Sequence, residues 1–324
     1  MKKILLLDTS IGTSNLGDFI IMECVRKELQ PVLEGNFVYA MPTHLPPFHA
    51  YAVRRNSFAV QNYANADLKL AGGSNLLVKD LRTHYPQWNI HKRDAAPLAG
   101  VVLVGVGAGA GDRTNAYTTK LYQQVLSHTF IHSVRDERSR QYVESLGLKA
   151  LNTGCVTMWM LTPAFCSTIP AGKANRCVFT LTGNKSGRAN PQDQQMVDIL
   201  LRNYEEVFFW VQGDMDAEYF SYFENTERVR IIPPSLPAYA ALLSEEDLDY
   251  VGTRLHGGIY AMRHGKRSII IGIDERADAI HRSNHLNYIR RDEIGEKLER
   301  MIGEELPTEV TMPYEAIEAW KAQF

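Results

Sequence analysis

Excess charge of one sign is missing from this 324-residue chain: 35 Lys and Arg stand against 37 Asp and Glu, a net charge of -2. No global attraction to nucleic acid or to an anionic surface follows from such a balance. Cysteine is scarce. The four residues Cys24, Cys155, Cys166 and Cys177 form no C-x-x-C pair, which argues against a structural zinc site and against a disulfide scaffold. They read as reduced, buried thiols, as in a cytosolic protein. There is no H-E-x-x-H. The spaced pairs His128/His132 and His281/His285 have no third ligand nearby, so no metal is expected. Long apolar runs are missing as well. The apolar run 4–7 stops at Asp8, too early for a signal peptide. The uncharged stretch 95–111 holds five glycines and reads as a buried strand with a glycine-rich loop rather than an integral membrane segment. No repeat and no low-complexity segment is present.

The near-neutral total hides an uneven distribution. Residues 1–170 carry 17 Lys and Arg against 12 Asp and Glu, whereas residues 292–324 come to -6. The amino-terminal half is the better host for an anion. Residues 4–7 are a continuous apolar run, as in a strand buried on both faces of a parallel sheet. A loop and a helix opened by Asp18 follow it. Strands at 68–71, 101–106 and 132–134 and helices at 118–128 and 139–146 continue the alternation. The pattern loosens at 163–173, around Pro163, Pro170 and Gly172, and a second series starts at Arg176. That series reads strand 177–181, helix 191–203, strand 206–211, helix 215–223, strand 229–232, helix 236–244, strand 249–251, helix 258–264 and strand 268–273. Such alternation predicts parallel sheets in both halves. The tail reads as a helix from Pro313.

Several strand ends carry chemistry. Gly12-Thr13-Ser14-Asn15-Leu16-Gly17 has phosphate-loop spacing, but Asp18 stands where the lysine belongs and would repel a triphosphate. It reads either as backbone N–H groups aimed at a ligand or as a tight turn capped by Asp18. Gly105-Val106-Gly107-Ala108-Gly109-Ala110 matches a dinucleotide fingerprint without the immediate helix that the fingerprint needs. Gly72-Gly73-Ser74-Asn75 ends a buried strand and permits close backbone approach or a sharp turn. Arg135, at the end of 132–134, is a candidate anion clamp, or a structural partner of Asp136. Thr253-Arg254-Leu255-His256-Gly257-Gly258 is the most suggestive segment: a guanidinium, a group able to donate a proton and a helix N-terminus suit a phosphate or carboxylate ester. Ile271-Gly272-Ile273-Asp274-Glu275-Arg276 ends the last strand, where Asp274 could orient His256 or bind a sugar hydroxyl. Tyr85, Trp88, Trp159 and Tyr219 are either sugar platforms or core.

The ordered set Asn15-Leu16-Gly17-Asp18, Gly72-Gly73-Ser74-Asn75-Leu76, Ser133-Val134-Arg135-Asp136 with Ser139, and Thr253-Arg254-Leu255-His256-Gly257 resembles the ketal-forming polysaccharide pyruvyltransferase family. The resemblance runs from about residue 4 to residue 280, with Arg-Leu-His-Gly its strongest part. It implies an α/β, GT-B-like fold: two Rossmann-like domains with parallel sheets facing a cleft, and a C-terminal helix crossing back. On that reading residues 1–170 form the basic, acceptor-side domain, 171–305 the phosphoenolpyruvate-side domain, and 306–324 the crossing helix, packed on the basic half. The implied enzyme is a transferase of exopolysaccharide or cell-envelope biosynthesis. It moves the pyruvyl group of phosphoenolpyruvate onto two hydroxyls of one sugar, giving a cyclic ketal and phosphate, with no metal or redox cofactor.

The resemblance assigns His256 and Arg254 to catalysis and Asn15, Gly17, Asp18, Gly72, Gly73, Asn75, Arg135, Leu255, Gly257 and Asp274 to substrate binding. Its partners are phosphoenolpyruvate and a nucleotide-linked, lipid-linked or oligosaccharide acceptor. No nucleic acid is involved, a homo-oligomer is compatible, and the place is the cytoplasm or the inner face of a membrane. One departure stands out: many members carry Asp-Pro near the domain junction, where this chain reads Thr153-Gly154-Cys155-Val156. A nucleotide-sugar-dependent GT-B glycosyltransferase and a non-catalytic glycan-binding relative are the alternatives.

Overall fold

A computed structural model describes every residue other than 83–86, 110–113 and 274, together with all side chains in that range except those of residues 275 and 276. The chain divides into two compact units. The first comprises Met1–Thr13, Ile21–Trp159 and Pro313–Phe324, and the second comprises Ser14–Ile20 and Met160–Met312. The division falls at Trp159 and Pro313, where the resemblance implies bounds at 170 and 305, and it takes a short piece of the first loop and helix into the second unit.

In the first unit, β1 (Lys3–Asp8) pairs in parallel with β2 (Phe37–Pro42) and with β3 (Leu68–Gly72), and β3 pairs with β4 (Val101–Val104). The order is β2-β1-β3-β4. Next come β5 (His132–Val134) and β6 (Ala150–Asn152), a parallel pair tied to the end of β4 by the bridge Val106↔Val134. Residues Ile4, Leu5, Leu6 and Leu7 are wholly buried, which is why this strand reads as apolar throughout rather than alternating. Strand β2 escapes the sequence reading because it is an edge strand with a single buried position. The connecting helices include α1 (Leu16–Glu28), α2 (Ala50–Arg54), α3 (Phe58–Ala64), α4 (Ala116–Val125) and α5 (Glu137–Ser145). Asp136 caps α5, accepting from Ser139 N at 2.7 Å.

In the second unit the strands β7 (Arg176–Thr180), β8 (Glu206–Trp210), β9 (Val229–Ile232), β10 (Leu248–Gly252), β11 (Ser268–Gly272) and β12 (Tyr288–Arg290) are all parallel, in the order β12-β11-β10-β7-β8-β9. The chain therefore winds outward from β7 in one direction and restarts at β10 in the other. The connecting helices include α6 (Pro191–Asn203), α7 (Asp216–Phe220), α8 (Leu236–Leu243), α9 (Leu255–Arg263), α10 (Glu275–Asn284) and α11 (Ile294–Gly303). Phe209 and Phe220 stack in the core at 4.4 Å between centroids, and Trp210 stacks on Tyr239 at 3.8 Å. The carboxyl ends of β7 and β10 lie side by side where the winding reverses, which is where open α/β sheets bind ligands.

The final helix, α12 (Tyr314–Lys321), belongs to the first unit. Trp320 is fully buried, meets Trp159 edge-on at 5.7 Å, and donates from Nε1 to Ile131 O at 2.8 Å. Lys321 reaches Glu28 at 2.8 Å. Truncating a fully buried tryptophan costs about 3–5 kcal/mol, so this acidic tail is held by one aromatic anchor more than by charge. Among the described residues no helix is long and apolar enough to cross a membrane.

Candidate active site

The densest constellation lies in the second unit at the β7/β10 reversal. Gly252 is paired with Thr180; beyond them the chain opens into Leu181-Thr182-Gly183 and Thr253-Arg254. The hydroxyls of Thr182 and Thr253 share a hydrogen bond of 2.9 Å across the gap. Arg254 is the cap residue of α9, and no side chain caps that helix. A helix N-terminus of this kind is where an anion is favoured in general. The Arg254 guanidinium does not point away into solvent. Its Nε donates to Asp216 Oδ2 and to Leu181 O, each at 3.1 Å, and its Nη2 donates to Asp216 Oδ1. Asp216 is fully buried and also accepts from Gly183 N at 2.9 Å and Gly213 N at 2.8 Å. One carboxylate thus ties together the loops after β7 and β8 and the start of α9. The pair occupies Nε and Nη2, so the Nη1 edge of the fork is not spent on Asp216, and the side chain keeps 19% of its surface exposed.

Beneath Arg254, Tyr250 donates to its carbonyl at 2.8 Å and shares a 2.6 Å bond with Thr180 Oγ1. Tyr239 donates to Gly257 O at 3.0 Å. Burial pushes both phenols well above the usual tyrosine range, so they stay neutral donors that fix the backbone of the Arg-Leu-His-Gly segment. His256 is the second residue of α9 and half-buried. The sequence pattern starts this helix at residue 258, after both Arg254 and His256. Instead the helix starts between them, with Arg254 as cap and His256 in the first turn.

The loop Asn15–Asp18 joins this unit. Leu16 N donates to Gln212 O at 2.9 Å, Gln212 Nε2 donates to Asn15 Oδ1 at 3.3 Å, and Ser14 Oγ donates to Asp214 Oδ2 at 2.9 Å. Asp18 is buried at the first turn of α1. A Cβ on Gly17 would sit 3.1 Å from Gln212 Nε2, and one on Gly257 would sit 2.8 Å from Gln212 Oε1. Gln212 therefore wedges between the two glycine-bearing motifs. Asp216, Gln212 and Asp214 escaped the sequence reading, although a signal existed: Gln212-Gly213-Asp214-Met215-Asp216 follows an apolar strand just as the other motifs do.

The remaining predicted residues fall in the first unit. Gly72 and Gly73 are packing positions under α1. A Cβ on Gly72 would meet Met22 Sδ at 2.7 Å, and one on Gly73, whose φ is +56°, would collide with Ile21 Cγ2. The backbone N of Asn75 and the hydroxyl of Ser74 both donate to Gln87 Oε1 at 3.0 Å, and Asn75 Oδ1 is buried without a partner among the described residues. Gly107 N donates to Ser74 O at 2.8 Å, and the Arg135 guanidinium occupies the place a Gly107 side chain would fill. Arg135 pairs with Asp136 at 3.2 Å and keeps 8% of its side chain exposed, so the structural pairing is present. Gly105 N donates to Ser133 Oγ at 2.8 Å and Ala108 N to Ser139 Oγ at 2.7 Å, which makes Gly105–Gly109 a strand-end loop held to β5 and α5. Trp88, Trp159 and Tyr219 are core residues. Asp274 and Tyr85 lie outside the described residues. Cys155 is buried and bonded to Thr157 Oγ1 at 3.1 Å. Among the described residues no group of three or more His, Cys, Asp or Glu could hold a metal ion.

Two units of parallel strands and helices of this kind make a GT-B-like fold. The chain is similar in fold to a UDP-GlcNAc 2-epimerase from Methanocaldococcus jannaschii, solved with UDP-GlcNAc and UDP: 11% identity, TM-score 0.53, over 100% of this chain and 99% of that one. It is likewise similar to the UDP-N-acetylglucosamine 2-epimerase from Rickettsia bellii, at 10% identity and TM-score 0.52, over 100% and 95%. No curated protein matches its sequence. A sequence model described as polysaccharide pyruvyl transferase matches residues 15–275, and the chain belongs to that family. It is accordingly a transferase.

Proposed function

We propose that the protein transfers the pyruvyl group of phosphoenolpyruvate to two hydroxyls of one sugar in a polysaccharide or its precursor, forming a cyclic ketal and releasing phosphate. The observation that carries this reading is the Arg254 fork, set by buried Asp216 over the uncapped start of α9 in a chain of this family. Phosphoenolpyruvate presents a phosphate and a carboxylate. A guanidinium held by one edge and first-turn N–H groups offer matched donors for one of them. Arg135, Asn15 and Asn75 are kept as proposed substrate-binding residues.

The chemistry starts with a proton delivered to the methylene carbon, for which His256 is the proposed acid. The carbon that bears phosphate becomes oxocarbenium-like. One sugar hydroxyl adds there and phosphate departs. The second hydroxyl then closes the ring. The two hydroxyl protons balance the one given by His256 and the one taken by the leaving phosphate. No step requires a metal ion or a redox cofactor.

Phosphate release from phosphoenolpyruvate, measured against a panel of sugar acceptors, tests the reading. Release should need a suitable acceptor, and folded His256→Ala should turn over about 10²-fold or more slowly. Tight binding of uridine diphosphate, with no effect of phosphoenolpyruvate on thermal stability, would favour the glycosyltransferase alternative.

A further inference from the structure

Seven large hydrophobic residues are exposed among the described residues, and four of them fall in one stretch of the first unit: Phe37 at 59%, Leu45 at 46%, Tyr51 at 57% and Phe58 at 79%. The same stretch has an unusual charge pattern. Between Glu34 and Asp67 there is no Asp or Glu at all, in a chain otherwise rich in both. The positive charges there, Arg54 and Arg55, are exposed, as are Lys92 and Arg93 of the short 3-10 turn Lys92–Asp94 that packs against α2. The one acid of that turn, Asp94, is fully buried and accepts from His91 N at 2.9 Å.

The α2–α3 corner, which carries Tyr51, Arg54, Arg55 and Phe58, is well built. Asn56 N donates to Val53 O and Ser57 N to Ala52 O, each at 3.0 Å, and Asn56 takes a φ of +47°. Phe48 and Val60 are buried beneath it, and Tyr63 packs against Phe48 at 6.1 Å and Tyr39 at 5.5 Å. Phe58 therefore projects from a fixed support. Arg55 lies over the Tyr51 ring at 4.7 Å, which keeps a cation and an aromatic ring side by side at the surface.

We propose that this α2–α3 corner docks on an anionic lipid bilayer, with Phe58, Tyr51 and Leu45 entering the headgroup boundary and Arg54, Arg55, Lys92 and Arg93 facing lipid phosphates. Exposed aromatic and aliphatic side chains beside a cluster of cations, with carboxylates excluded, are the complement of such a surface. Phe58 and Leu45 carry no group that could bond a sugar hydroxyl, which weighs against a polyanionic glycan as the occupant. The near-neutral total charge is no obstacle, because screening limits the attraction to charges within about 8 Å of the surface at physiological salt.

Co-sedimentation of the full chain with sucrose-loaded vesicles tests this. Vesicles of phosphatidylglycerol and phosphatidylcholine should pellet the protein, and vesicles of phosphatidylcholine alone should not. Each basic residue at such a surface is worth roughly fivefold in affinity, so Arg54→Gln/Arg55→Gln should weaken binding by roughly tenfold or more. Phe58→Ser and Tyr51→Ser should each weaken it by about fivefold, with unchanged circular dichroism and melting. Absence of binding to the anionic vesicles at low salt would overturn the proposal. So would binding that neither the arginine pair nor Phe58 influences. Self-association in light scattering that Phe58→Ser abolishes would assign the face to a second copy instead, and retention on an acidic oligosaccharide with no vesicle binding would assign it to glycan.

Discussion

Two arginine–aspartate pairs mark the opposite ends of β10. At the amino end, Asp249 meets Arg267 at 2.7 Å, with the two side chains 3% and 1% exposed. Arg267 turns Nη2 to the carbonyls of Met301, Ile302 and Glu304 at 2.9–3.0 Å, while Tyr204 donates to Asp249 at 2.8 Å. At the carboxyl end, Asp216 is just as buried, but Arg254 retains 19% exposure and an edge that its partner does not use. The first pair is dry and fastens the end of α11 to the sheet. Burial holds the Asp249 carboxyl above the usual carboxylate range even with Arg267 beside it, which shows how much such a pair costs in desolvation. The second is dry on the acid side only. The carboxylate fixes the guanidinium while the guanidinium still meets solvent. A pair that serves the fold closes on both sides; a pair that can serve a ligand stays open on one.

This contrast can be broken by measurement. Arg267→Ala leaves Asp249 buried and unpaired, so unfolding in denaturant should show a loss of about 3–5 kcal/mol. Arg254→Lys keeps the charge but not the planar fork. It should leave unfolding within about 1 kcal/mol of the parent while phosphate release from phosphoenolpyruvate falls about 10²-fold. If it unfolds the protein as badly as Arg267→Ala, the distinction between the two ends is lost.

A buried polar group of the first unit extends the test. His132 is fully buried; its Nδ1 accepts from Leu103 N at 3.2 Å and its Nε2 bonds Ser127 O at 2.9 Å. Burial holds its pKa down to about 4, so the unfolded chain takes up the proton first. Its contribution is intact above the unfolded value of about 6.5 and is lost as pH falls toward 4. Between pH 7.5 and 5 that amounts to about 2 kcal/mol, and His132→Gln should flatten this part of the stability profile. The smallest effect is expected of Tyr250→Phe, which removes the donor under Arg254: about 1 kcal/mol in stability and less than about tenfold in kcat/KM.

Much of the strand and helix order was legible, because continuous apolar runs such as 4–7 and 177–181 belong to parallel strands buried on both faces. Edge strand β2 was not, since only one of its six residues is buried and it carries no buried-strand pattern. The Arg-Leu-His-Gly segment stood out through its own composition. Asp216 did not, because its meaning lies in a partner 38 residues away and a carboxylate at the first position of a short helix looks like an ordinary charge complement to the helix. Nor did the place of Asn15, whose partner Gln212 is 197 residues distant. Gly72 and Gly73 were legible as tight positions, but only the packing shows that Met22 and Ile21 are what presses on them.

The way the chain is divided has a consequence for how the molecule is made. The first unit includes Pro313–Phe324, and the seat of Trp320 on Trp159 and Ile131 forms only after the whole second unit has been synthesised. Domains emerging from a ribosome generally fold in order of synthesis. Here the unit begun before the other is completed after it, so a nascent chain holds an open seat in its first unit, without Trp320 on Trp159, until residues 313–324 arrive to fill it.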